Sequence, residues 1–138
     1  MTNLRPLLLF PLFALAACGR TPAPEPADAR ARAIEQRKDA LIAQLADCES
    51  GSHGDGATGG GGRFVGRLQF APATVIGFVR ERDGRTIGTA EAIAIARDYR
   101  QASSLAKYVI FERDGHRNWP ACSRKLGLAR QVAVIKVP

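Results

Sequence analysis

Between positions 50 and 63 the chain carries seven glycines, with His53, Asp55 and Thr58 set among them. Glycine weakens helices and strands because it gives up the most backbone freedom on ordering, so this stretch reads as turn, loop or linker. It divides a chain of only 138 residues. A flexible linker between two units is one reading. The flanks are too short to be independent domains, so the stretch belongs to one fold, and long loops in small domains are often functional. A phosphate loop is excluded, because no Gly-Lys-Ser or Gly-Lys-Thr closes it. His53 and Asp55 lack a third ligand, and no metal site is expected.

The N-terminus points to export. Arg5 is the one charge in the first seventeen residues, and it precedes the apolar run Pro6 to Ala14. That run is too short to span a bilayer and suits the core of a signal peptide. It ends in Leu15-Ala16-Ala17-Cys18, which resembles the lipobox of bacterial lipoproteins. The resemblance implies a signal peptide over 1–17, cleavage before Cys18, and acylation of Cys18 by lipid; an ordinary secretory signal with an incidental cysteine is the alternative. Several acyl chains would anchor the mature protein to a bilayer, where one chain alone binds marginally. Gly19, rather than Asp, follows the anchor, which resembles the outer-membrane default of a Gram-negative envelope, facing the periplasm.

Three cysteines are an odd number for an exported protein. If Cys18 carries lipid, Cys48 and Cys122 remain, and an oxidising compartment lets them pair. The loop so closed spans about 75 residues, which in the chain-entropy model is worth roughly 4–5 kcal/mol. For a domain with a modest core that contribution matters.

Lys and Arg exceed Asp and Glu by seven. Such a balance suits an anionic partner, whether lipid, wall polymer or nucleic acid. Nucleic acid is not expected: no reading motif stands out, and aromatics are too few for a base-stacking platform.

Along the chain, residues 18–29 form a proline-rich spacer that holds a domain over 30–138 off the membrane. A helix is expected from about Ala27 to Asp47, with Ile34, Leu41, Ile42 and Leu45 on one face and its first half too polar to pack. Pro72 opens a second helix through Val75, Ile76 and Val79, which Asp83-Gly84 breaks. A third starts near Thr89, whose hydroxyl can cap it, and a fourth runs from Asp98 or Tyr99 to Glu112, with Leu105, Tyr108, Val109 and Phe111 as core. Val132 to Val137 reads as a short strand or an apolar tail. The fold class is therefore mostly α, a small helical domain with little or no sheet.

Four segments in order carry a resemblance: Ala46-Asp47-Cys48-Glu49-Ser50-Gly51; Gly66-Arg67-Leu68-Gln69-Phe70-Ala71-Pro72-Ala73-Thr74; Arg100-Gln101 at the head of a helix; and Trp119-Pro120-Ala121-Cys122 with Leu126-Gly127-Leu128 behind. In this spacing they resemble the catalytic domain of resuscitation-promoting factors, a branch of the lysozyme-like lytic transglycosylases, over about residues 40–128. The resemblance implies an α+β lysozyme-like fold with a substrate cleft, a Cys48–Cys122 disulfide, and Glu49 as catalytic acid. Gln69 would line the sugar cleft and Thr58 would join it from the loop. Phe64, Phe70 and Trp119 would give stacking surfaces or simple core.

Cleaving a glycosidic bond requires a proton on the leaving oxygen, so Glu49 must stay protonated near neutral pH. A helix end and apolar walls both push its pKa up. The resemblance implies action on the β-1,4 bond between N-acetylmuramic acid and N-acetylglucosamine of peptidoglycan, by a monomer and with no cofactor. A usual hydrolase needs a second carboxylate; Asp55 and Asp83 are the candidates, and neither is well placed. A lone Glu suits a lytic transglycosylase, in which the sugar's own C6 hydroxyl attacks and a 1,6-anhydro-muramoyl product forms. The alternatives are a hydrolase of the same bond and an inactive wall-binding lipoprotein. Without the resemblance, Glu49 reads as a solvated helix-end charge. The chain departs from the family at Ser52-His53-Gly54 and Val75, where aromatics are usual, at Arg67, where a second glycine is common, and in a loop about two residues longer.

Overall fold

The structure, a computed structural model, describes residues 26–51 and 53–137. The expected signal peptide, the lipid site at Cys18 and the spacer up to residue 25 lie outside the described residues. Residues 26–29, expected to close the spacer, are already helical. Helix α1 runs over Pro26–Ser50, with the proline in its first turn where a missing N–H costs nothing. Its first turns are exposed, and its core face begins in earnest at Leu41, Ile42, Leu45 and Ala46. The helix passes the expected end at Asp47 and carries Cys48 and Glu49 in its last turn. Gly51, at φ 58°, then stops it by donating its N–H to Asp47 O at 2.9 Å.

The glycine-rich stretch is folded into the domain. Strand β1 (Thr58–Gly59) pairs antiparallel with β2 (Phe64–Val65), in register Thr58 to Val65 and Gly59 to Phe64. Short 3-10 turns over Gly54–Gly56 and Gly60–Gly62 shape the approaches. A second tight turn over 66–69 brings Phe70 back against Val65 through an isolated bridge. Gly66 is required there. It sits at φ 76°, and a Cβ on it would come to 1.8 Å from the Ala96 carbonyl oxygen.

Helices α2 (Pro72–Asp83), α3 (Thr89–Arg97) and α4 (Tyr99–Lys107) follow, and a π-helical turn over Tyr108–Glu112 extends α4. α2 ends at Gly84 in the left-handed region, as the Asp-Gly signal implies. Asp98 caps α4 by accepting the Gln101 N–H at 3.0 Å. Thr89, expected to cap α3, is instead its first helical residue. Gly88 holds the cap position without a side-chain bond, because the helix begins one residue early. Tyr108 is half-buried, whereas Leu105, Val109, Ile110 and Phe111 are core.

The C-terminal reading is corrected. Val132–Val137 is neither strand nor tail: α6 spans Leu128–Lys136, directly after α5 (Pro120–Leu126). Leu128, Val132 and Ile135 recur at helical spacing and are buried, so packing overrides the β-branched composition. Gly127, at φ 62°, joins the two helices, and its N–H donates to the Arg124 carbonyl.

One core gathers these elements. α1 crosses α4, α5 and α6, while α2 packs on α3 and α3 on α4. Cys48 at the end of α1 is bonded to Cys122 in α5, with Cα atoms 5.9 Å apart across 74 positions of sequence. Such a long loop makes the bond a large constraint on the unfolded chain. The Cys48→Ala, Cys122→Ala variant should lose about 2–5 kcal/mol of stability, read as a lower urea midpoint. Gly66→Ala should cost on the order of 2–4 kcal/mol from its positive φ and the Ala96 clash, also read by urea unfolding.

Candidate active site

Glu49 stands four residues beyond Leu45 and seven beyond Ile42, which puts it on the same face of α1 as these two fully buried side chains. It is therefore the next rung of the core stripe, at the point where the helix runs out. Its carboxyl is half-buried, and among the described residues no cation pairs with it. Burial pushes its pKa above the ordinary glutamate range. Glu35, on the same helix, shows the opposite behaviour: a hydrogen bond from Lys38, helped by the charges of Lys38 and Lys107, holds it below that range. A charge at the surface is neutralised by partners, while at the end of the stripe burial alone acts on the carboxyl and favours its protonated form.

Gln69 sits where the second turn closes, at φ 48°, a left-handed conformation that non-glycine residues seldom adopt. Its neighbours hold it there. The Leu68 carbonyl accepts the Trp119 indole N–H at 2.7 Å, and Phe70 exchanges both backbone hydrogen bonds with Val65. The Gln69 side chain donates to Gly66 O at 2.8 Å. Its amide oxygen lies against Gly59, where an added Cβ would come within 2.1 Å. Gln69 is thus laid across β1, the strand that presents the exposed Thr58.

Phe70 and Trp119 offer no face to a ligand. Each is 3 % exposed, and their rings meet edge to face with centroids 5.2 Å apart. The expectation that they bind substrate is corrected to the core reading: burial and the indole hydrogen bond to Leu68 commit both to supporting the turn that holds Gln69. Phe64 is the aromatic that remains at the surface, 38 % exposed, with the Arg63 guanidinium over its ring.

A groove of about 370 Å³ opens at the end of α1, lined by Asp47, Gly51, Gly54, Asp55 and Arg67. Arg67 donates to the Asp47 carboxylate at 2.9 Å and lies over the Tyr99 ring at 4.2 Å. Asp47, Arg67 and Tyr99 have no functional role in the sequence reading; their only signal is that Arg67 departs from the glycine usual in the resembled family. Asp55 belongs to this groove. Asp47 leaves α1 about 200° round from Glu49, so Asp55 shares a side with Asp47 rather than with Glu49. Asp83, the other candidate second carboxylate, is held by Arg82 at 2.7 Å near the end of α2. His53 spends its Nδ1 on the Ser50 carbonyl oxygen at 2.9 Å. Among the described residues no three His, Cys, Asp or Glu side chains gather as a metal site would require.

The structure thus joins Cys48, Glu49 and Cys122 at one end of α1, and lays the Gln69 side chain, from its turn, against the strand of Thr58. Compared with known protein families, with curated proteins and with solved structures, the chain finds no match.

The burial of Glu49 has a sign that can be measured. A carboxyl with a raised folded pKa binds its proton more tightly in the folded state, so stability falls as pH rises from the unfolded value through the folded one. Below the ordinary glutamate range both states are protonated and no cost remains. Glu49→Gln should therefore melt above the parent protein at pH 7, and that gap should shrink as pH falls toward about 4. A gap independent of pH would refute the burial argument.

Proposed function

We propose that the domain is a peptidoglycan lytic transglycosylase that cleaves the β-1,4 bond between N-acetylmuramic acid and N-acetylglucosamine, with Glu49 as its single acid and base. The observation that supports this most is the half-buried Glu49 carboxyl, raised by burial and unpaired among the described residues. A protonated carboxyl gives its proton to the glycosidic oxygen as the bond to the muramoyl C1 breaks. The resulting carboxylate takes a proton from the C6 hydroxyl of the same sugar, whose oxygen closes on C1 to form the 1,6-anhydro ring. Protons balance, and no water is consumed. Asp55 on the Asp47 side and Asp83 bound to Arg82 leave Glu49 without an evident second carboxylate, which favours this route over hydrolysis.

Gln69 and Thr58 would bind the glycan beside the acid, and the excess of cations suits an anionic polymer. In this reading the protein acts as a monomer, held at the membrane by acylated Cys18, with the glycan strand as its partner and no cofactor.

Digestion of purified sacculi followed by mass spectrometry of the products tests the proposal. Anhydro-muropeptides should appear, fall by about 10²–10⁴-fold in Glu49→Gln, and decline on the alkaline side as Glu49 ionises. Gln69→Ala should raise KM more than it lowers kcat. Reducing ends in place of anhydro sugars would mean hydrolysis, and binding to sacculi without products would mean a non-enzymatic wall protein. Either result overturns the transglycosylase reading.

A further inference from the structure

Helix α1 sets several of its charges on opposite sides, with Arg32 and Lys38 left on the acidic one. Asp28, Glu35 and Asp39 each stand two residues from an arginine, Arg30 or Arg37, and so leave the helix about 200° round from it. The acidic side is engaged: Lys107 binds Glu35 at 3.4 Å and Asp39 at 2.7 Å, and Lys38 binds Glu35 at 2.7 Å. The arginine side carries one carboxylate, Asp47 near the end of the helix, which Arg67 binds at 2.9 Å. Arg30, Ala33, Arg37, Ala40 and Gln44 follow one another at helical spacing along it, all exposed.

This side meets α6. Between the two helices runs an apolar groove of about 550 Å³, floored by Ala40, Val134 and Ile135 and flanked by Arg37 and Arg130. Neither arginine pairs with a carboxylate among the described residues. Val134 and Val137 are 64 % and 70 % exposed and continue the apolar line past the groove. After Asp114 the chain contains no Asp or Glu, while Arg117, Arg124, Lys125, Arg130 and Lys136 follow. Lys136 is bound to Asp114 and Asp47 to Arg67, so the α1–α6 face is apolar with a net positive charge from Arg30, Arg37 and Arg130.

We infer that this face rests on an anionic lipid surface. Cations around small apolar side chains match the composition of helices that lie at a membrane interface. A protein partner is less well matched, because no aromatic residue lines the groove to act as an anchor. Position agrees. Pro26 stands eight positions after Cys18, an extended reach of about 25 Å, and Arg30 lies only one turn into α1. This argument from reach rests on the proposed anchor at Cys18; the argument from charge does not. Glu49 leaves α1 about 120° round from Arg37, so a protein seated this way keeps its carboxyl off the lipid.

The test uses the chain from residue 19, which contains every described residue and lacks the anchor. Vesicles of phosphatidylcholine alone are compared with vesicles containing about 30 % phosphatidylglycerol. Sedimentation should show binding to the anionic vesicles alone, weakened by added salt. Arg37→Glu with Arg130→Glu should lower partitioning at least about tenfold, with Arg37→Gln and Arg130→Gln giving a smaller loss. The charge-matched control, Arg82→Glu with Arg85→Glu, alters the side of the molecule that bears the Lys38–Lys107 cluster and should lower it far less. Equal loss in the control, equal binding to neutral vesicles, or no binding to either would overturn the inference. Activity on soluble glycan strands should be unchanged in the Arg37, Arg130 variants, so failure here and failure of the transglycosylase reading are told apart.

Discussion

The covalent bond between Cys48 and Cys122 fixes the end of α1 to α5, and most of the candidate site is arranged around that joint. One turn before Cys122, Trp119 reaches back with its indole N–H to the Leu68 carbonyl. A continuous line of restraint therefore runs from Glu49 through Cys48, Cys122 and Trp119 to Leu68 and Gln69. Two residues on either side of a glycine-rich stretch are held by the same clamp. The clamp explains how a domain with so little sheet can carry a defined pair of polar groups.

Glycine serves this clamp in specific places. Gly66 allows the turn to press on the Ala96 carbonyl, and Gly59 allows the Gln69 amide to lie flat against β1. Gln69 itself bears the left-handed conformation that a glycine would adopt more easily. Backbone strain of this kind persists where the surroundings fix it, and it collects at functional positions. Here the fixing groups are identifiable: the indole below, the Val65 ladder beside, and the Gly66 carbonyl that accepts the side chain.

The helical segments were legible because their apolar residues recur at helical spacing and their ends carry Pro, Asp-Gly or a capping Asp. α6 was not, because Val132, Val134, Ile135 and Val137 crowd β-branched side chains into six positions, imitating a strand. What makes it helical is Leu128 upstream and the cores of α1 and α5, which no local window contains. At the candidate site, the sequence singled out Glu49 and the cysteine pair but could not tell a half-buried carboxyl from a solvated one. That distinction needs the depth at which α1 enters the core. Phe70 and Trp119 were ambiguous for the same reason, since an aromatic side chain looks alike in a sugar cleft and in a packed interior. The groove of Asp47, Asp55 and Arg67 depends on a contact across twenty positions, and no spacing rule announces it.

The π-helical turn at Tyr108–Glu112 puts Val109, Ile110 and Phe111 into the core as three consecutive buried residues, more than an α-helical stripe admits. Such a turn holds one residue beyond what the regular ladder needs. A lineage could delete one residue here and keep an unbroken helix, but everything downstream would rotate by about 100°. Arg113 would then swing away from Glu81, to which it is bonded at 2.5 Å, and the path into Trp119 would begin from a different direction. The length of this turn, more than any side chain in it, sets the angle at which the chain arrives at the clamp.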